Sequence, residues 1–164
     1  MATILQLAKA GLIVPYNARL SARQQEERVF FASQELVKWF RDVLPNLTAR
    51  WTTEVRPDEQ LDTLLAKYAS GAVLYCLNDL KCLRSHGRSV WELRTDDVRI
   101  FGWFPFKDWF VGVVAGSAGD VKVDREYDKC IEQVVAFRDS LDLNEPKFVK
   151  SEKVDDVISN FDYP

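Results

Sequence analysis

The chain gathers its candidate chemistry in one short stretch, Leu80-Lys81-Cys82-Leu83-Arg84-Ser85-His86-Gly87-Arg88, followed by Glu92-Leu93-Arg94 and Arg99. From Lys81 to Arg88 the basic or potentially basic residues are Lys81, Arg84, His86 and Arg88, with no acid among them. Arg94 and Arg99 flank a turn at Asp96-Asp97, so on adjacent strands their side chains can meet on one face. Arginine suits phosphate because its planar fork holds two oxygens while staying charged, and such a cluster offsets charge building on a phosphorane. His86 can act as acid or base, since imidazole titrates near neutrality. A second use of the same residues is a solvated face, with the arginines paired to Glu92, Asp96 and Asp97 and His86 as an ordinary surface residue.

Other chemistries lack their residues. The chain contains no glycine-rich phosphate loop of standard spacing, no zinc-ligand pattern and no nucleophile elbow. Gly116-Ser117-Ala118-Gly119 lacks the lysine of a phosphate loop and reads as a flexible link from strand to helix. One histidine and three scattered cysteines (Cys76, Cys82 and Cys130) make neither a metal centre nor a disulfide framework, so no metal and no cofactor is expected.

These residues have to be positioned by regular elements. Ser89–Arg94, Val98–Phe104 and Trp109–Val114 alternate as strands, separated by turns at Thr95-Asp96-Asp97 and Pro105-Phe106-Lys107-Asp108, which predicts an antiparallel meander. Upstream, Arg28–Ala32 has strand character. Ser33 is a natural N-cap for a helix carrying Leu36, Phe40, Val43 and Leu44, and Pro45 stops it. A second helix starts at Pro57, with Asp58 and Glu59 at its positive end, and Gly71 closes it. Residues 124–141 predict a third helix, capped by Asp124, with Tyr127, Ile131, Val134, Val135 and Phe137 on its apolar face. The expected fold is α+β, an N-terminal helical hairpin packed on an antiparallel β-meander and followed by a C-terminal helix. The expected organisation is an accessory segment over 1–25, the α+β domain over 26–142 and an acidic tail over 143–164, in which Val154, Val157, Ile158 and Phe161 mark a short docking helix.

Hydrophobic residues make up 47% of the 164, enough for a real core without staples. The net charge of -3 argues against nonspecific coating of nucleic acid, though not against a local basic site. No membrane span or signal-peptide pattern is visible, and the cytosol is the expected compartment. Trp91, Phe101, Trp103, Phe104, Phe106, Trp109 and Phe110 crowd the meander. Half of them should face the core. The rest either stack on bases or, as we expect, are covered by the terminal segments or a partner.

The order strand, two helices, basic Leu-Lys-x-Leu segment, then "VWELRTDDVRIFGWF" and "DWFVGVVAG" resembles the RelE/HigB superfamily of toxin–antitoxin ribonucleases, over about Val29 to Leu141. The resemblance implies a helical pair on an antiparallel sheet, cleavage of ribosome-bound mRNA through the adjacent 2′-hydroxyl, and a neutralising antitoxin as partner. It assigns Lys81 to RNA binding, and the basic cluster adds Arg84 and Arg88 as expected RNA contacts beside it. Arg94 and Arg99 fall to stabilising the transition state, and Tyr127 to a place near the scissile phosphate. The chain departs from the pattern where active relatives end the third strand in a Lys, Arg or His cluster. Here stand Ala115-Gly116-Ser117-Ala118-Gly119, with Lys122 the nearest base. Each catalytic group lost in this way lowers the rate by roughly 10²–10⁴. The expectation is therefore a toxin-like endonuclease with divergent or weakened catalysis; a noncatalytic interaction module on the same fold is the alternative.

Overall fold

A computed structural model describes residues 1–50, 54–83, 87–123 and 126–164. The elements run α1 (Ile4–Lys9), β1 (Ile13–Pro15), β2 (Val29–Ser33), α2 (Gln34–Asp42), α3 (Pro57–Ala69), β3 (Leu74–Tyr75) and β4 (Leu80–Leu83). After them come β5 (Val90–Arg94), β6 (Val98–Phe106), β7 (Trp109–Ser117), α4 (Ala118–Val123), α5 (Tyr127–Ser140), α6 (Val154–Val157) and β8 (Phe161–Asp162). The fold is mixed α+β with a mostly antiparallel sheet. Its six strands lie in the order β1-β2-β7-β6-β5-β4, and β3 and β8 form a separate parallel pair.

The alternation over residues 90–114 does produce an antiparallel meander, β5-β6-β7, which β4 extends. Two turn readings need correction. Pro105 and Phe106 belong to β6, and Phe106 pairs with Trp109 across a connection of only Lys107 and Asp108. A register shift between Trp103 and Phe106 accommodates a proline that has no N–H to give the ladder. Nor are residues 115–119 a flexible link: β7 continues to Ser117 and α4 starts at Ala118. The small residues serve close packing there, since a Cβ on Gly116 would lie 2.9 Å from Val121 Cγ2 on the returning helix.

Local signals set the helix ends. Ser33 Oγ accepts from Leu36 N at 3.0 Å at the start of α2, and Thr3 and Gln6 form a reciprocal capping box on α1. Pro57 opens α3, and Gly71, at φ 75°, follows its C-cap. In α5 the predicted stripe is partly right. Ile131 and Val134 are buried, Tyr127, Val135 and Phe137 are half-buried, and Cys130 and Arg138 join the inner face. The proposed cap Asp124 lies outside the described residues.

The sheet has a core on each face. Trp91, Leu93, Ile100 and Phe110 pack against Leu36 of α2 and Leu65 of α3 on one side. Phe101, Trp103 and Val113 pack against Ile4 of α1 and Ile131 and Val134 of α5 on the other. The helical pair α2–α3 thus follows α1, β1 and β2 in the chain instead of opening it. Both terminal segments enter these cores: Leu7 and Ile13 the second, Val154, Val157 and Ile158 the first. Most of the meander's aromatics are accordingly covered from within. Trp91, Phe101, Trp103, Phe104 and Phe110 are buried, each worth about 2–3 kcal/mol of transfer free energy, whereas Phe106 stays exposed against a half-buried Trp109. Among the described residues no helix is long and apolar enough to cross a membrane.

Candidate functional site

The β5–β6 register brings the two expected arginines together. Arg94 pairs directly with Arg99, and one step along the same face Glu92 lies between Lys81 of β4 and Phe101 of β6. Thr95 fixes the intervening turn by donating its backbone N–H to Val98 O and accepting from Val98 N on its Oγ1, both at 2.9 Å. Tyr127, on the first turn of α5, meets the Phe101 ring edge-on with centroids 5.8 Å apart, which holds its hydroxyl over Glu92 and Arg99.

Glu92 is the centre of this cluster. Its side chain is fully buried, with Arg94 Nε 2.7 Å and Arg99 Nε 3.5 Å from its Oε1. Both contacts are ionic by distance, but neither N–H is aimed along them, and among the described residues both Glu92 oxygens lack a well-directed hydrogen bond. The guanidinium groups turn elsewhere: Arg94 donates to Leu77 O, and Arg99 to Thr95 O and, at 3.0 Å, to Val98 O. Burial raises the pKa of Glu92 above the usual carboxylate range, against the pull of Arg94, Arg99 and Lys81. The Tyr127 hydroxyl is raised as well, by burial first and by the Glu92 charge second. Tyr127 therefore stays protonated near neutrality and can donate a proton or hydrogen bond, not abstract one.

The other expected residues do not all join. Lys81 is exposed on β4, on the same face as Glu92. Arg88 precedes β5 at the end opposite Arg94, a span of at least about 13 Å at strand rise, and pairs with Glu132 of α5. Arg84 and His86 lie outside the described residues. Of the three cations that do gather (Lys81, Arg94 and Arg99), Arg99 is sealed, with 5% of its side chain accessible, and Arg94 is 19% accessible.

Two buried polar centres gave no sign of their role in the sequence. Asp97, in the turn itself, accepts from Arg50 N at 3.0 Å and from Gln60 Nε2 at 2.7 Å, which ties the hairpin to α3. Arg28, at the entry to β2, is buried beneath the C-terminal segment. The pairing of the arginines to Glu92, weighed in the sequence as the alternative to phosphate binding, is present, whereas the Asp97 carboxylate goes to Arg50 N and Gln60 Nε2 instead. Among the described residues no group of three or more His, Cys, Asp or Glu side chains is placed to hold a metal.

Set against known proteins, the chain matches no family model, no curated protein and no solved structure.

Proposed function

We propose that this chain is a RelE/HigB-like component of a toxin–antitoxin module, an RNA-binding domain whose mRNA endonuclease chemistry is weak. The observation that carries the reading is the convergence of Arg94 and Arg99 on Glu92, with Tyr127 above and Lys81 alongside, inside the Trp-Glu-Leu-Arg…Arg pattern. The cluster keeps a positive excess beside Glu92, which favours a phosphate at its open side. In the reaction the 2′-hydroxyl gives up its proton to solvent water and attacks the adjacent phosphorus, and the 5′-oxygen leaves with a proton from the Tyr127 hydroxyl, which solvent restores. A 2′,3′-cyclic phosphate remains. Arg94 and Lys81 hold the phosphate. Tyr127 supplies a donor, and Arg99 acts through Glu92 as a positioning residue.

Weak catalysis follows from the same contacts. Both arginines already share their charge with Glu92 and backbone carbonyls, Tyr127 stays protonated, and the third strand ends in Ala-Gly-Ser. The noncatalytic interaction module remains the second reading, favoured by the near-complete burial of Arg99.

The test is tightly induced expression in a bacterial host, following pulse-labelled protein synthesis and mapping RNA ends, with Arg94→Ala and Lys81→Ala beside the wild type. We expect the wild type to slow translation, and Arg94→Ala, equally abundant and folded, to lose the effect by about tenfold or more. Translation and RNA ends untouched by well-expressed wild type would remove the nuclease reading and leave the interaction module.

A further inference from the structure

A groove of about 610 Å³ runs along β4, the last strand of the sheet, and is closed by the first turns of α5 and by the C-terminal segment. Its walls are apolar, formed by Leu80, Leu83, Ile131 and Val154. Leu77 and Tyr163 stand at its mouth with 52% and 60% of their surface exposed, although most of the chain's large apolar side chains are covered. Cys76 reaches it from beneath, close to the Tyr163 hydroxyl.

Among the described residues two carboxylates and one ammonium line this apolar slot. Asp128 lines it from α5 and Glu152 from the C-terminal segment, both exposed. Asp155 acts on the Tyr163 hydroxyl and Asp162 on Cys76, so their field reaches the same mouth. Asp79 is also near, but Lys67 neutralises it at 2.5 Å. Lys81 is the one cation lining the groove among the described residues. An exposed apolar slot in which carboxylates outnumber cations raises the local concentration of cationic groups.

We infer that this groove docks a basic amphipathic segment of a partner protein. The segment's apolar side chains enter between Leu77, Ile131 and Tyr163, and its lysines or arginines face Asp128 and Glu152. Such a segment satisfies both features at once, by apolar anchors at helical spacing and a complementary charged flank. The inference goes beyond the RNA reading and is tested apart from it: Lys81 and Tyr127 belong to both surfaces, but the readout here is peptide binding and not translation.

The probe is a fluorescein-labelled leucine–lysine amphipathic peptide of about 15 residues, long enough to hold a helix, compared with its leucine–glutamate counterpart. Both are titrated against the full chain by anisotropy, and the bound site is mapped by NMR shift perturbation. The expected result is saturable binding of the lysine peptide alone, with shifts centred on Leu77, Ile131 and Tyr163. Asp128→Lys/Glu152→Lys should weaken it at least about tenfold and transfer preference to the glutamate peptide. Tyr163→Ser, a change at an exposed side chain, should weaken binding without reversing the charge preference; it serves as an independent variant should the double reversal unfold. The inference is overturned by absence of binding up to roughly 0.1 mM, by affinity indifferent to the charge reversal, or by shifts scattered over other faces. It is equally overturned if single-stranded RNA or a second copy of the chain is what occupies the groove.

Discussion

Two of the buried arginine centres among the described residues are built on opposite terms. Arg28 gives its guanidinium to backbone carbonyls: Tyr68 O and Ala72 O at 2.9 Å, Ser159 O at 2.6 Å and Asn160 O at 3.1 Å, with Lys67 O at 3.5 Å. Among the described residues its Nε, 3.5 Å from Asp108, lacks a directed bond, and the group lies over the Tyr68 ring. Asp108 in turn accepts from Ser159 N at 2.8 Å and from Ser159 Oγ at 2.6 Å, so the clasp locks the C-terminal segment onto the end of α3 and the β6–β7 turn. At Glu92 the terms are reversed. Two cations lie at short range, but among the described residues the carboxylate has no directed bond, and Arg94 and Arg99 donate to backbone carbonyls instead. The difference separates a site whose hydrogen bonds are nearly all made from one where opposite charges meet without them. A centre of the first kind holds a fold together. One of the second kind leaves a buried acceptor open to a further donor.

Substitution should separate the two centres sharply. Arg28→Ala leaves several buried carbonyls without a donor and frees the segment around Ser159, so we expect a loss of about 4 kcal/mol in urea unfolding and new proteolytic cleavage near the C-terminus. A loss below about 1 kcal/mol would mean that apolar packing of Val157 and Ile158 holds the segment without the clasp. Arg99→Ala should cost somewhat less, about 3 kcal/mol near neutrality, by leaving Glu92 buried with a weaker counter-charge. The sign of its pH dependence is fixed. Glu92 is already raised by burial and rises further in this variant, so the folded state holds a proton that the unfolded chain has released. Stability is retained below the ordinary carboxylate range and lost as pH climbs through the raised folded value. A variant equally unstable at acid and neutral pH would show that Glu92 is not the source.

The smallest effect should come from Glu92→Gln. Burial already offsets the attraction to Arg94 and Arg99, and both arginines keep their carbonyl partners, so near neutrality the change should stay within about 1 kcal/mol. It should also flatten the decline that the wild type shows above the ordinary carboxylate range. Urea midpoints across that range test both statements. A loss as large as that of Arg28→Ala would place the two centres in the same structural class and end the contrast.

Much of the frame around the site was legible in the sequence. The period-2 run from Val90 to Val114 specified the meander, and a short turn between its first two strands made Arg94 and Arg99 neighbours. Ser33, Pro57 and Gly71 marked helix ends because capping acts between residues a few positions apart. Small residues were ambiguous: Ala115-Gly116-Ser117 carries no periodic signal, and only the packing of Val121 against Gly116 shows why they are small. The burial of Arg99 was ambiguous too, since a strand arginine reads the same whether solvent or Glu92 receives it.

The sequence by itself determined local periodicity, caps and strand neighbours, all of which rest on fixed spacing along the chain. Tertiary structure alone decided the Arg28 clasp, the Asp97–Gln60 tie and the acid-rimmed groove. The physical reason lies in their partners. Arg28 is held by carbonyls of residues 67 to 72 and 159 to 160, and every residue carries a carbonyl, so no side-chain identity announces the contact. Asp97 likewise binds a backbone N–H of a distant residue and one of the many amide side chains. The groove takes its walls from β4, α5 and the C-terminal segment, and none of them is apolar enough alone to signal a site.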